Sequence, residues 1–234
     1  MKNPIIVALD VPEASAALTL AEEVAPAVGA FKIGKELFIS AGPDIVKRVR
    51  DTGAAVFLDL KFHDIPNTVA KAVASATRLD VQMLTVHTCG GSTMLKRALE
   101  GANEAAEQTG NEAPLILGVT VLTSMDESDL NEVSVNKTPE SQVIHLAQMA
   151  TGAGLKGLVC SPKEIAPLRE VLPAEVKLVT PGIRPAGSET DDQKRVMSPA
   201  DAVQAGADWL VIGRPIYAAD HPREAAEAIL DSLN

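Results

Sequence analysis

Ala54-Ala55-Val56-Phe57-Leu58-Asp59-Leu60-Lys61-Phe62-His63-Asp64-Ile65-Pro66-Asn67-Thr68 passes from an apolar, β-favouring run into a charged turn and then into the start of a helix. Successive side chains of a strand point to opposite faces, so Asp59 and Lys61 project to the same side. Asp64 follows after a short turn, and Ile65-Pro66 opens the next helix, because proline suits the first helical position. The segment thus sets two carboxylates around one ammonium at the end of a buried strand. A structural salt bridge needs only two of these groups. A third raises the electrostatic energy unless something uses it, which makes Asp59, Lys61 and Asp64 candidates for a functional site. A structural alternative assigns Asp64 as the N-cap of the helix through Val69 and Ala76, and leaves Asp59 with Lys61 as a simple ion pair.

The same strand-then-helix unit repeats in both directions. Strand candidates are Ile5–Leu9, Ala30–Ile33, Ala55–Leu60, Met83–His87, Leu115–Val121, Gly157–Cys160, Lys177–Thr180 and Trp209–Ile212. Helical patterns cover Glu13–Val24, Pro43–Arg50, Thr68–Thr77, Thr93–Glu107, Gln142–Thr151, Ile165–Val171 and Arg223–Leu233. Eight strands alternating with helices predict an α/β fold, a (β/α)8 barrel with residues 1–234 as one domain. A doubly wound sheet repeats the same units, and periodicity alone leaves it open. In a barrel, active sites lie at the C-terminal strand ends. Asp10, Lys32, Asp59, Lys61, His87, Thr120, Thr123, Ser124, Arg184 and Arg214 all fall at or just beyond such ends. Stability alone gives no reason for so many polar residues there.

Composition narrows the classes of function. The 234 residues are 46% hydrophobic and 22% charged, with no apolar run long enough to span a bilayer, and Met1-Lys2-Asn3-Pro4 leads straight into a strand. A cytoplasmic globular protein is expected. A net charge of −10 disfavours nonspecific contact with nucleic acid or anionic membrane, and an anionic ligand must be met by local positive charge. At 3% aromatics there is little material for stacking bases. Two cysteines, Cys89 and Cys160, make no disulfide framework and are expected to pack. His63, His87, His145 and His221 show no metal-ligand spacing.

The segments after strands seven and eight suit a phosphate. Gly182 and Gly213 allow close approach of the backbone, Arg184 and Arg214 supply forked donors, and Pro215–Ala219 is placed to begin a short helix. Between them, the polar stretch Pro185–Ser198, with Gly187, Ser188, Gln193 and Arg195, has the length and composition of a lid.

Taken together, these motifs resemble the orotidine 5'-phosphate decarboxylase family over essentially the whole chain. The resemblance is carried by Ala8-Leu9-Asp10, Lys32, Asp59-x-Lys61-x-x-Asp64-Ile65-Pro66-Asn67-Thr68, Val119–Ser124, Pro181-Gly182-Ile183-Arg184 with Gln193, and Ile212-Gly213-Arg214. It implies a homodimer of barrels that converts orotidine monophosphate to uridine monophosphate and carbon dioxide without metal or organic cofactor. It further implies that Asp10 and Lys32 bind the ribose, that Asp59 lies beside the departing carboxylate, and that Lys61 protonates carbon 6 of the pyrimidine. Asp64 and Thr68 would complete the neighbouring subunit's site. Thr123 would lie near the base, Gln193 would bridge base and phosphate, and Arg184, Gly213 and Arg214 would hold the phosphate.

Physical chemistry agrees with that implication. Loss of carbon dioxide from an sp2 ring carbon leaves a localised carbanion with no adjacent electron sink, so a fixed ammonium both stabilises charge and delivers a proton. Two rivals remain. A magnesium-dependent sugar-phosphate decarboxylase or aldolase would use the same carboxylates to hold metal, and chelator sensitivity separates it. A noncatalytic nucleotide-binding barrel would need no lysine among carboxylates.

Overall fold

The computed structural model describes residues 2–185 and 196–233. Its strands are β1 (Ile5–Ala8), β2 (Ala30–Gly34), β3 (Ala55–Phe62), β4 (Met83–His87), β5 (Leu115–Val119), β6 (Gly157–Val159), β7 (Lys177–Thr180) and β8 (Trp209–Ile212). Each pairs in parallel with the next, and β8 returns to β1, so the sheet closes into a barrel. The helices are α1 (Ala14–Val24), α2 (Lys35–Ala41), α3 (Asp44–Arg50), α4 (Pro66–Thr77), α5 (Gly91–Thr109), α6 (Glu127–Glu132), α7 (Pro139–Gly152), α8 (Ile165–Val171), α9 (Pro199–Ala205), α10 (Arg214–Tyr217) and α11 (Pro222–Asp231). Closure removes the doubly wound alternative. Among the described residues, no helix is long and apolar enough to cross a membrane.

Strand alternation divides the core in two. Ile6, Ala8, Ala30, Phe57, Met83, Leu117, Val179 and Val211 fill the barrel interior. Their neighbours, among them Ile5, Val7, Phe31, Val56, Leu58, Leu84 and Leu210, turn outward and pack with the helices. Two residues beyond an interior position the chain faces inward again, now at the mouth. Ala30 is followed by Lys32, Phe57 by Asp59 and Met83 by Thr85, so apolar columns end in polar groups. On the outer layer α4 and α5 pack closely, because a Cβ at Gly101 would stand 2.4 Å from the Ala70 carbonyl oxygen.

The opposite end of the barrel is tied by charge. Asp208, just before β8, accepts hydrogen bonds from Arg169 Nη2 at 2.6 Å, Lys177 Nζ at 2.6 Å and Leu178 N at 2.8 Å. Arg169 of α8 also donates to the carbonyls of Gly206 and Val176. Asp208→Ala removes the shared acceptor and leaves a half-buried guanidinium poorly paired. It is expected to lower unfolding free energy by about 2–3 kcal/mol, seen as a lower denaturant midpoint with turnover per folded molecule unchanged.

Candidate active site

The charges at the mouth form an alternating chain. Lys32 Nζ donates to Asp10 Oδ1 at 2.9 Å and stands 4.0 Å from Asp59 Oδ2. Lys61 Nζ lies 2.8 Å from both Asp59 oxygens. The expected arrangement of one ammonium between two carboxylates is therefore corrected: in this chain one carboxylate, Asp59, sits between two ammoniums. Asp64 is exposed and makes no ion pair with Lys61 among the described residues; its Oδ1 accepts from the Ile65 amide at 2.6 Å. Nor is it a helix cap, since Ile65 occupies that position ahead of Pro66.

Burial pushes the Asp59 carboxyl up, but the charges of Lys61 and Lys32 and the hydrogen bonds from Lys61 and Thr85 outweigh it, and the net shift is below the ordinary 3.8. Asp59 is thus ionised at neutral pH. The sign follows from linkage: its contribution to native stability is complete above the ordinary carboxylate value and is lost as pH falls through the lowered one.

These groups line a cavity of about 440 Å³ over the barrel interior. Asp10, Lys32, Asp59 and Lys61 share its wall with Thr123, Gly182, Arg184, Gly213 and Arg214. In a closed order of eight strands β7 lies across from β3, so the Arg184 end of the cavity faces the Lys61 end. Gly182 has φ +80°, a conformation that costs glycine least, and Arg184 Nε is buried without a hydrogen-bond partner among the described residues. The arginines at one end suit an anionic group of a ligand, the alternating charges at the other suit polar groups, and Val121, Leu122 and Val159 add apolar wall.

A family model described as orotidine 5'-phosphate decarboxylase / HUMPS family matches residues 3–229. The chain belongs to that family. It is 52% identical over 233 residues to the orotidine 5'-phosphate decarboxylase of Opitutus terrae, covering 100% of this chain and 99% of that one. To the enzyme of the same name from Actinobacillus succinogenes it is 50% identical, with 100% and 99% covered. A crystal structure of orotidine 5'-phosphate decarboxylase from Lactobacillus acidophilus superposes with a TM-score of 0.87 at 39% identity, covering 100% of both chains. The protein is accordingly a carboxy-lyase.

Within this family member, the structure gathers Asp10, Lys32, Asp59, Lys61, Thr123, Arg184, Gly213 and Arg214 in one cavity. Asp64 and Thr68 are exposed and do not line it. Gln193, with most of the expected lid, lies outside the described residues. Thr120 is not in the cavity wall; it is buried and its hydroxyl donates to the Val159 carbonyl at 3.3 Å. Ser124 does not line the cavity either. Cys160 packs as expected, its thiol pushed up to about 12 by burial, then by the charge of Glu164. Cys89 is exposed, contrary to expectation, in the turn after β4.

Sequence reasoning missed Thr85. It is fully buried, its hydroxyl donates to Asp59 Oδ1 at 2.9 Å, and it accepts the Lys61 amide at 2.9 Å. The signal was available: Met83, Thr85 and His87 share one face of strand four, and Thr85 is the polar break in an otherwise apolar stretch before His87.

Proposed function

We propose that this chain converts orotidine 5'-phosphate to uridine 5'-phosphate and carbon dioxide, with Lys61 delivering a proton to carbon 6 as the bond to the carboxylate breaks. The observation that carries the proposal is the Lys61 ammonium, fixed 2.8 Å from both Asp59 oxygens in a cavity whose far side holds Arg184 and Arg214. Arg184, Gly213 and Arg214 hold the phosphate, Asp10 and Lys32 bind the ribose, and Thr123 borders the base. The substrate carboxylate then lies against ionised Asp59, and its departure as neutral carbon dioxide relieves that repulsion while the developing carbanion meets the Lys61 charge. The bonding electron pair stays on carbon 6 and takes the proton from Lys61.

A metal-holding use of the same carboxylate is poorly supported. Both Asp59 oxygens already face Lys61 Nζ, and Lys32 stands 4.0 Å away, so a divalent cation would meet two positive charges. Loss of orotidine 5'-phosphate absorbance in excess chelator tests this directly. Turnover unaffected by chelator is expected; turnover restored only by magnesium would favour the magnesium-dependent sugar-phosphate rival.

The proposal includes a homodimer in the cytoplasm, with Asp64 and Thr68 of each chain serving the other's cavity. Their exposure, and that of Ile65 beside them at 68%, supports a surface meant to be covered. Mixing inactive Lys61→Ala and Asp64→Ala chains then regenerates one intact site per heterodimer. With random pairing, activity is expected to recover to about one quarter of wild type. No recovery in verified heterodimers would remove the shared site.

A further inference from the structure

The pairing of β3 with β4 is irregular where the site begins. Leu58 stands opposite Leu84 and Phe62 opposite Val86, so Asp59, Leu60 and Lys61 occupy a length that β4 spans with Thr85 alone. The surplus bulges, and Lys61 takes φ +52°, a left-handed conformation uncommon for a side chain of its kind. A bulge leaves backbone groups without their ladder partners, and here the Lys61 amide donates to Thr85 Oγ1 at 2.9 Å. A hydroxyl carries one hydrogen. With the Lys61 amide as donor, that hydrogen goes to Asp59 Oδ1, 2.9 Å away, and the full burial of Thr85 shields both bonds from water.

We propose that Thr85 is a positioning residue for the reaction, its hydroxyl fixing both the bulged backbone of Lys61 and the carboxylate that Lys61 Nζ grips. This rests on the decarboxylation proposed above. One side chain ties the two ends of the Lys61 residue together: the amide directly, the ammonium through Asp59. Without it the ammonium keeps its charge but loses the constraint that sets where it points. The polar and charged groups facing Asp59 are Lys61 on its own strand, Lys32 from β2 with Asp10 on its far side, and Thr85 and His87 from β4. Of this set, Thr85 is the neutral group that hydrogen-bonds Asp59 among the described residues.

Thr85→Val keeps the branched shape and removes the hydroxyl, whereas Thr85→Ser keeps the hydroxyl. The valine variant is expected to lower kcat by about ten- to a hundred-fold with KM changed less than about threefold, and serine to restore kcat to within about threefold. A 13C NMR titration of the Asp59 carboxyl should move to higher pH in the valine variant and stay in place in the serine variant, because a donor to the ionised form is lost in the first alone. Wild-type kcat in the valine variant would overturn the inference, as would a serine variant impaired as severely as valine. Should the valine chain not fold, Thr85→Cys, with its weaker donor, takes its place and is judged the same way. If wild-type protein does not decarboxylate orotidine 5'-phosphate, the proposed function fails, and the Asp59 titration still decides the role of Thr85.

Discussion

Lys61→Ala is expected to lower turnover of orotidine 5'-phosphate by about 10⁴-fold or more at saturating substrate, with a wild-type circular dichroism spectrum. A placed general acid contributes about 10²- to 10⁴-fold, roughly 3–5 kcal/mol. The alanine removes a second effect as well. Asp59 would keep Lys32 at 4.0 Å but lose the two 2.8 Å contacts to Lys61, so the cavity would present a carboxylate to an anionic substrate with less compensating charge. Product affinity, measured by titration with uridine 5'-phosphate, should change far less than turnover, because the proposed phosphate contacts, Arg184 and Arg214, lie across the cavity from Lys61. Retention of a tenth of wild-type turnover would mean that another group donates the proton.

The second large effect lies at that far side. Enzymes supply about 8–23 kcal/mol in all, so a general acid leaves most of the acceleration to binding and electrostatics elsewhere. Charge-assisted hydrogen bonds to a phosphate are worth about 1.5–3 kcal/mol each, so Arg214→Ala should lower kcat/KM by about 10- to 10²-fold, and the double variant with Arg184→Ala by about 10²- to 10⁴-fold. Turnover is expected to fall together with affinity, since binding energy from the phosphate serves the chemical step. The nucleoside orotidine provides the control. If the arginines act through the phosphate, wild type and variants process orotidine equally slowly; an arginine penalty of the same size on the nucleoside would place their action elsewhere.

Much of the architecture was legible because strand alternation and helical periodicity are strong over long segments. All eight strands lie where the apolar runs put them, with ends differing by at most two residues. The helices that escaped notice, α2, α6 and α9, have six or seven residues, so their period is weak, and α2 follows β2 without a spacer; α3 and α8 are as short, and their apolar residues marked them. At the site, the residue types were readable from their place at strand ends, but their pairing was not. Adjacency in sequence put Asp64 beside Lys61, whereas the pairing of β2 with β3 brought Lys32 to Asp59. Alternation correctly put Asp59 and Lys61 together, yet the structure reaches that result through a bulge and a left-handed lysine. No local pattern announces such a bulge, because the hydroxyl that takes up the displaced Lys61 amide belongs to Thr85, 24 residues away.

Proton transfer from Lys61 without metal is tested most directly by proton NMR of wild-type protein turning over orotidine 5'-phosphate in deuterated buffer with excess chelator. Uridine 5'-phosphate deuterated at carbon 6 is expected, formed in step with carbon dioxide. Absence of that product, or its formation only after magnesium is supplied, would contradict that transfer.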